Sequence, residues 1–122
     1  MADMENKILD LSFEFSLNII QLYKMMIKQN EYVLSKQLLR SATSIGANVE
    51  EATAAQTKKD FIAKMAIASK ESRETRYWLR LLDKSKLLNI DYFPYLTSIE
   101  HIINVLTKIV KTSQENLGKL NT

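Results

Sequence analysis

Apolar residues recur every three or four positions along most of the chain, which is the spacing of one buried face on a helix. In the first such segment this face comprises Ile8, Leu11, Phe15, Ile19, Leu22 and Met26. Polar breaks and turn residues separate four segments of this kind. The pattern predicts helices over residues 5–28, 33–55, 58–86 and 92–120.

The other three segments carry one apolar seam each, with a four-three alternation. The seams consist of Leu38, Ala42, Ile45, Val49 and Ala52, then Phe61, Met65, Ala68, Ser72, Thr75, Leu79 and Leu82, and finally Leu96, Ile99, Ile103, Leu106, Val110, Ser113, Leu117 and Leu120. Such seams favour helices that cross at roughly 20°, and short connections make sequential helices antiparallel. We therefore expect an all-α, up-down-up-down antiparallel four-helix bundle formed by one domain, residues 1–122.

A second apolar stripe on the first helix lies roughly opposite its seam. It consists of Phe13, Leu17, Ile20 and Ile27. These side chains cannot face the same core as the seam. Either the first helix has a wide buried face, or the stripe is a subunit interface, because large apolar patches seldom stay in water. We expect the interface, and hence a homo-oligomer.

The middle of the second helix, LLRSATSIGANVEEA over residues 38–52, is unusual for a helix designed only for stability. Gly46 inside a helix costs about 1 kcal/mol relative to Ala, which suggests a close approach of a neighbouring helix or tolerance of a mild fault. Ser44, Asn48 and Glu51 flank the seam, and if buried they need partners on another helix. We interpret them as residues that fix the register.

Positive charge is concentrated in the third helix. Residues 58–86 contain nine basic and four acidic residues, so this segment carries +5 and the rest −2 of the total +3. A surface of this kind favours an anionic partner. The candidate nucleic-acid-binding residues are Lys58, Lys59, Lys64, Arg73, Arg76 and Arg80. The alternative is an ordinary solvated face whose cations pair with Glu71 and Glu74.

The aromatic pair Tyr77 and Trp78 lies among these cations, where rings can stack on bases. An aromatic residue beside a seam more often packs in a core or interface, so this alternative stays open. No recognised DNA-reading module is present.

Little in the sequence supports catalysis or a cofactor. The single histidine, His101, lacks the Glu-x-x-His spacing of di-iron bundles, and no glycine-rich phosphate loop is present. We expect no catalytic residue, no metal and no cofactor. The chain has no cysteine, its N-terminus is acidic rather than signal-like, and no apolar run approaches about 18 residues. We expect a cytoplasmic protein without a membrane segment.

Two blocks of the sequence resemble the bacterial four-helix bundle proteins encoded by intervening sequences of 23S ribosomal RNA genes, a family that includes the accessory variability determinant of diversity-generating retroelements. The first block, QLLRSATSIGANVEEA, carries Arg40, Ser44, Gly46, Asn48 and Glu51; the second, FIAKMAIASKESRETRYWLRLL, carries Glu74. Ala52 stands where many members have glycine.

The resemblance implies a homopentameric, ring-like barrel of bundles that has a basic surface. It also implies RNA, DNA or a reverse transcriptase as the partner. We therefore expect a non-enzymatic oligomer that binds nucleic acid or a ribonucleoprotein. The alternative is an oligomeric adaptor whose basic face contacts acidic side chains of a protein.

Overall fold

The computed structural model describes residues 2–120 and consists of four helices joined by short turns. These are α1 (Ala2–Lys28), α2 (Leu34–Thr53), α3 (Lys58–Ser85) and α4 (Phe93–Leu120). No strand occurs within the described residues. The predicted all-α class and its four helices are confirmed. Residues 1, 121 and 122 of the predicted domain lie outside the described residues.

Helices adjacent in sequence pack against each other, and α1 also packs against α4, which closes the bundle. Contacts between α2 and α3 fix their relative direction. Arg40, near the start of α2, pairs with Glu74 in the second half of α3. Glu51, near the end of α2, is 3.7 Å from Lys64 near the start of α3. These two helices are therefore antiparallel.

The core follows the predicted seams, with differences on α3 and α4. All five predicted seam residues of α2 are buried, as are those of α1 apart from the half-buried Leu11. On α3, Ile62 is buried where the seam predicted Phe61, which is half-buried. On α4 the predicted seam residues Ile99, Ile103 and Leu106 are buried, whereas Leu96, Val110, Ser113 and Leu117 are half-buried, and the side chain of Leu120 lies outside what the structure describes. The buried face also includes Ile102, Val105 and Ile109, because both α1 and α3 cover this helix.

Local hydrogen bonds set the ends of the helices. Asn30 takes the left-handed conformation, with φ of 62°, directly after α1. The Glu31 carboxylate then accepts backbone N–H groups at the start of α2, including that of Ser35 at 2.7 Å. Thr57 Oγ1 accepts the Asp60 N–H at 3.0 Å, which caps the start of α3. These features mark where α1 ends and where α2 and α3 begin.

A buried hydroxyl pair connects α2 to α3. Thr75 Oγ1 lies 2.9 Å from Ser41 Oγ, and both residues are fully buried. In the predicted stripe, Asn48 is half-buried and donates to the Ser44 carbonyl of its own helix, at 2.8 Å. Glu51 is exposed and pairs with Lys64 of α3. Neither residue is buried, so the condition under which we expected a buried partner on another helix is not met.

Gly46 lies where α2 approaches α1. A Cβ added at this position would be 3.5 Å from Ser16 Oγ and 3.6 Å from the Ser12 carbonyl oxygen. These are ordinary van der Waals distances, so an alanine fits without displacing the backbone. The approach is close, yet it does not require glycine.

We predict that Gly46→Ala raises the free energy of unfolding by about 1 kcal/mol, because alanine is the better helix former and the new methyl group meets normal contacts. Urea unfolding followed by circular dichroism measures the change. Gly118→Ala is the control, since nothing lies within 4 Å of its added Cβ in the last turns of α4. A destabilised Gly46→Ala would mean that the helices approach more closely than the structure shows.

Candidate nucleic-acid interface

Five exposed side chains form one line along the outer face of α3. They are Lys70, Arg73, Tyr77, Arg80 and Lys84, and their alternating spacing of three and four residues keeps them on one side of the helix. We call this line the outer row. At 1.5 Å per residue it extends for about 21 Å. It therefore presents four cations around one aromatic ring.

Two acidic residues of α3 near the outer row, Glu71 and Glu74, contact an arginine of α2. Arg40 of α2 pairs with Glu74, and its Nη1 lies 3.4 Å from Glu71 Oε2. Among residues 2–120, no ion pair forms with any of the four cations of the outer row. Lys70 lies one turn before Glu74, and its charge helps to lower the pKa of that carboxyl group. Intrahelical pairing, the alternative explanation for the basic face, therefore does not account for Arg73, Arg80 and Lys84.

The three arginines predicted to act together have different surroundings. Arg76 Nη1 donates to Glu100 Oε1 of α4 at 2.8 Å and is half-buried. Arg73 Nη2 donates to Thr107 Oγ1 at 3.2 Å but remains exposed. Arg80 is exposed as well. Charge is thus available at Arg73 and Arg80, whereas Glu100 neutralises Arg76.

The predicted lysines are spread over the length of α3. Lys58 and Lys59 are exposed in its first turn, and Lys59 precedes Lys70 by about 16 Å along the helix. Lys64 faces α2, where it pairs with Glu51. The structure therefore does not group these lysines with the arginines. The sequence-based selection missed Lys70 and Lys84, although their spacing from Arg73 and Arg80 could have identified them.

A chain of contacts holds the aromatic pair. The Trp78 indole Nε1–H donates to Glu74 Oε2 at 3.1 Å, and Arg40 pairs with the same carboxylate. Trp78 is half-buried, and the Tyr77 ring meets it edge to face, with ring centroids 5.1 Å apart. Tyr77 itself is 55% exposed. The tryptophan is thus a support, and the tyrosine is the ring that solvent reaches.

The hydrogen bond from Trp78 lowers the pKa of Glu74. Partial burial opposes this effect, and the guanidinium of Arg40 adds to it. A lowered pKa means that the Arg40–Glu74–Trp78 contacts stabilise the fold above the ordinary pKa of a glutamate. That contribution is lost as the pH falls through the lowered pKa of Glu74.

The second stripe of α1 is largely exposed. Phe13 is 60% exposed, Leu17 44% and Ile20 39%, whereas Ile27 is half-buried. The first helix therefore does not have a buried face wide enough to cover Phe13, Leu17 and Ile20 within a single chain. Phe13 also lines a groove between α1 and α2, beside Gly46 and Thr43.

Other kinds of site lack support in the described residues. Within residues 2–120, no group of three or more His, Cys, Asp or Glu side chains is placed to hold a metal ion. None of the four helices is both long enough and apolar enough to cross a membrane.

Comparison with protein families gives a match over residues 4–108 to the 23S rRNA-intervening sequence protein family. The chain belongs to this family. Two of the residues that carry the resemblance to this family, Arg40 and Glu74, are in contact in the fold. They form the ion pair whose carboxylate also accepts the hydrogen bond from Trp78. Ser44, another of these residues, donates from Oγ to the Arg40 carbonyl at 2.7 Å.

A solved structure supports the same relationship. It is a protein of unknown function from the S23 ribosomal protein family of Bacteroides thetaiotaomicron VPI-5482, with 44% sequence identity to this chain. The match covers 88% of this chain and 98% of that one, with a TM-score of 0.84. Comparison with curated proteins gave no match.

We predict that acid releases Trp78 from Glu74 and changes the emission of this single tryptophan. The change should be centred below the ordinary carboxyl pKa near 4.5, because the pKa of Glu74 is lowered. Arg40→Gln removes a guanidinium that lowers this pKa, so its transition should move to higher pH. Glu74→Gln, the control, should show no such transition. Equal midpoints for wild type and Arg40→Gln would contradict the coupling. Circular dichroism at each pH checks that the helices persist.

Proposed function

We propose that this family member is a non-enzymatic, oligomeric helical bundle that binds nucleic acid or a ribonucleoprotein through the basic face of α3. The partner in a ribonucleoprotein would be a reverse transcriptase or another RNA-bound protein. The family resemblance implies five subunits arranged in a ring.

The observation that carries this proposal is the separation of charge on α3. Arg40 engages Glu71 and Glu74 on the side towards α2, while the cations of the outer row face solvent without an ion pair among residues 2–120. Cations that form no ion pair with a carboxylate can neutralise phosphates and release the counterions bound to those phosphates. Repetition around an oligomer multiplies a patch that is small in one chain.

The exposed stripe on α1 supports the oligomer. Phe13, Leu17 and Ile20 form a contiguous apolar surface on a helix whose other side already fills the core. Burial of such a surface against another subunit removes it from water at about 25 cal/mol per Å². The stripe lies on α1 and the outer row on α3, so assembly through the stripe leaves the cations accessible on their own helix.

We predict that Arg73→Gln, Arg80→Gln and Lys84→Gln together weaken binding to RNA and DNA and flatten its salt dependence. Each lost phosphate contact lowers the slope of log K against log salt by about 0.9 for duplex DNA and about 0.7 for a single strand. Arg76 is left intact because Glu100 needs its charge.

The matched control removes three exposed cations elsewhere, by Lys7→Gln, Lys36→Gln and Lys108→Gln on α1, α2 and α4. Anisotropy titrations at two salt concentrations should show a flatter slope for the outer-row variant than for the control. Equal losses in both variants would show that net charge alone drives binding. If the wild type binds neither RNA nor DNA at low salt, the proposal fails and the protein adaptor takes its place.

We predict that light scattering gives a mass of several chains for the wild type, and that Leu17→Glu with Ile20→Glu reduces it. New carboxylates on the stripe would be buried unpaired in the assembly, which is costly. Val33→Glu with Leu87→Glu is the control, since both residues are exposed and apolar but lie outside α1. A monomeric wild type, or an equal loss of mass in the control, would rule out the stripe as the interface.

A further inference from the structure

The outer row contains an exposed ring, that of Tyr77, which packs against the half-buried Trp78. Tyr77 follows Arg73 by four positions and precedes Arg80 by three, so cations flank it on both sides. Its ring meets Trp78 at an interplanar angle of 69°. Trp78 is in turn held by its hydrogen bond to Glu74. An exposed tyrosine with this support loses little conformational freedom when a ligand covers its face.

We propose that Tyr77 is a stacking platform for a base of single-stranded nucleic acid whose phosphates run along the outer row. This rests on the proposed function and names the form of nucleic acid that the same surface takes. A flat ring between flanking cations is the arrangement that single-strand binders use, because every base has a face that can stack. In a duplex the bases are already stacked and paired, so Tyr77 has no free base face to meet.

The dimensions of the row suit a short stretch of one strand. About 21 Å separates Lys70 from Lys84, which corresponds to roughly six phosphates at the 3.4 Å rise of a stacked B-form strand and to fewer where the strand is extended. The part of the ligand that this surface recognises is therefore backbone charge together with an accessible base, without readout of base edges.

The experiment separates stacking from charge with probes of equal length. Fluorescein-labelled dT20, U20, a 20-nucleotide abasic strand and a 20-base-pair duplex are titrated against wild type, Tyr77→Ala and Tyr77→Phe. Tyr32→Ala is the matched control, because Tyr32 is similarly exposed but lies in the turn between α1 and α2. Circular dichroism confirms that all variants fold.

We expect the wild type to bind dT20 or U20 at least about 10-fold more tightly than the abasic strand, in line with measured stacking on aromatic side chains. Tyr77→Ala should lose this preference while binding the abasic strand and the duplex unchanged. Tyr77→Phe and Tyr32→Ala should behave as wild type. Comparison of dT20 with U20 shows whether DNA or RNA is preferred. Trp78 emission should change with dT20 or U20 and not with the abasic strand.

The opposite outcomes are distinct. If Tyr77→Ala still prefers dT20 or U20 to the abasic strand, or if the wild type has no such preference, the proposal that bases stack on Tyr77 is wrong. Binding driven by charge would still stand. If the wild type binds none of the four probes, the proposed function itself fails.

Discussion

The ion pair that Arg40 makes with the carboxylates of α3 is the interaction on which the character of the surface depends. Arg40 of α2 engages the carboxylates of Glu71 and Glu74, and Arg73, Arg80 and Lys84 of the outer row form no ion pair within residues 2–120. The same carboxylate of Glu74 accepts the Trp78 indole N–H. One contact between two helices thus determines both where the charge is free and how the exposed aromatic ring is supported.

That contact requires α2 and α3 to lie in a fixed register. Ser41 is adjacent to Arg40, and its hydroxyl meets Thr75 in the core, next to Glu74. Each hydroxyl also bonds to a carbonyl of its own helix, Ser41 to Leu38 and Thr75 to Glu71, so neither would be left without a partner if the helices slid. The contact between the two hydroxyls is the part that depends on the register. The buried hydroxyl pair and the charged pair on the surface thus form in the same register of α2 and α3.

The two surfaces on which the proposed function rests lie on different helices, on the sides that face away from the core. On α1 the outward side is apolar at Phe13, Leu17 and Ile20, and on α3 it is basic. A protein that had to remain monomeric would gain nothing from the first surface. The combination is consistent with a chain that assembles through one helix and meets an anionic partner through another.

The periodicity of the sequence by itself determined the four helices and most of the core, since burying one face of each helix leaves few arrangements of four connected helices. It also located the concentration of charge and the exposed side of α1. Only the tertiary structure decided which charges are free, because Arg40 lies 31 residues or more from the carboxylates that it neutralises and Arg76 pairs with a residue of α4. The surroundings of Gly46 depended in the same way on Ser12 and Ser16, which are distant in the chain. Spacing along one helix predicts which side chains share a face, but it does not predict what the adjacent helix places beside them.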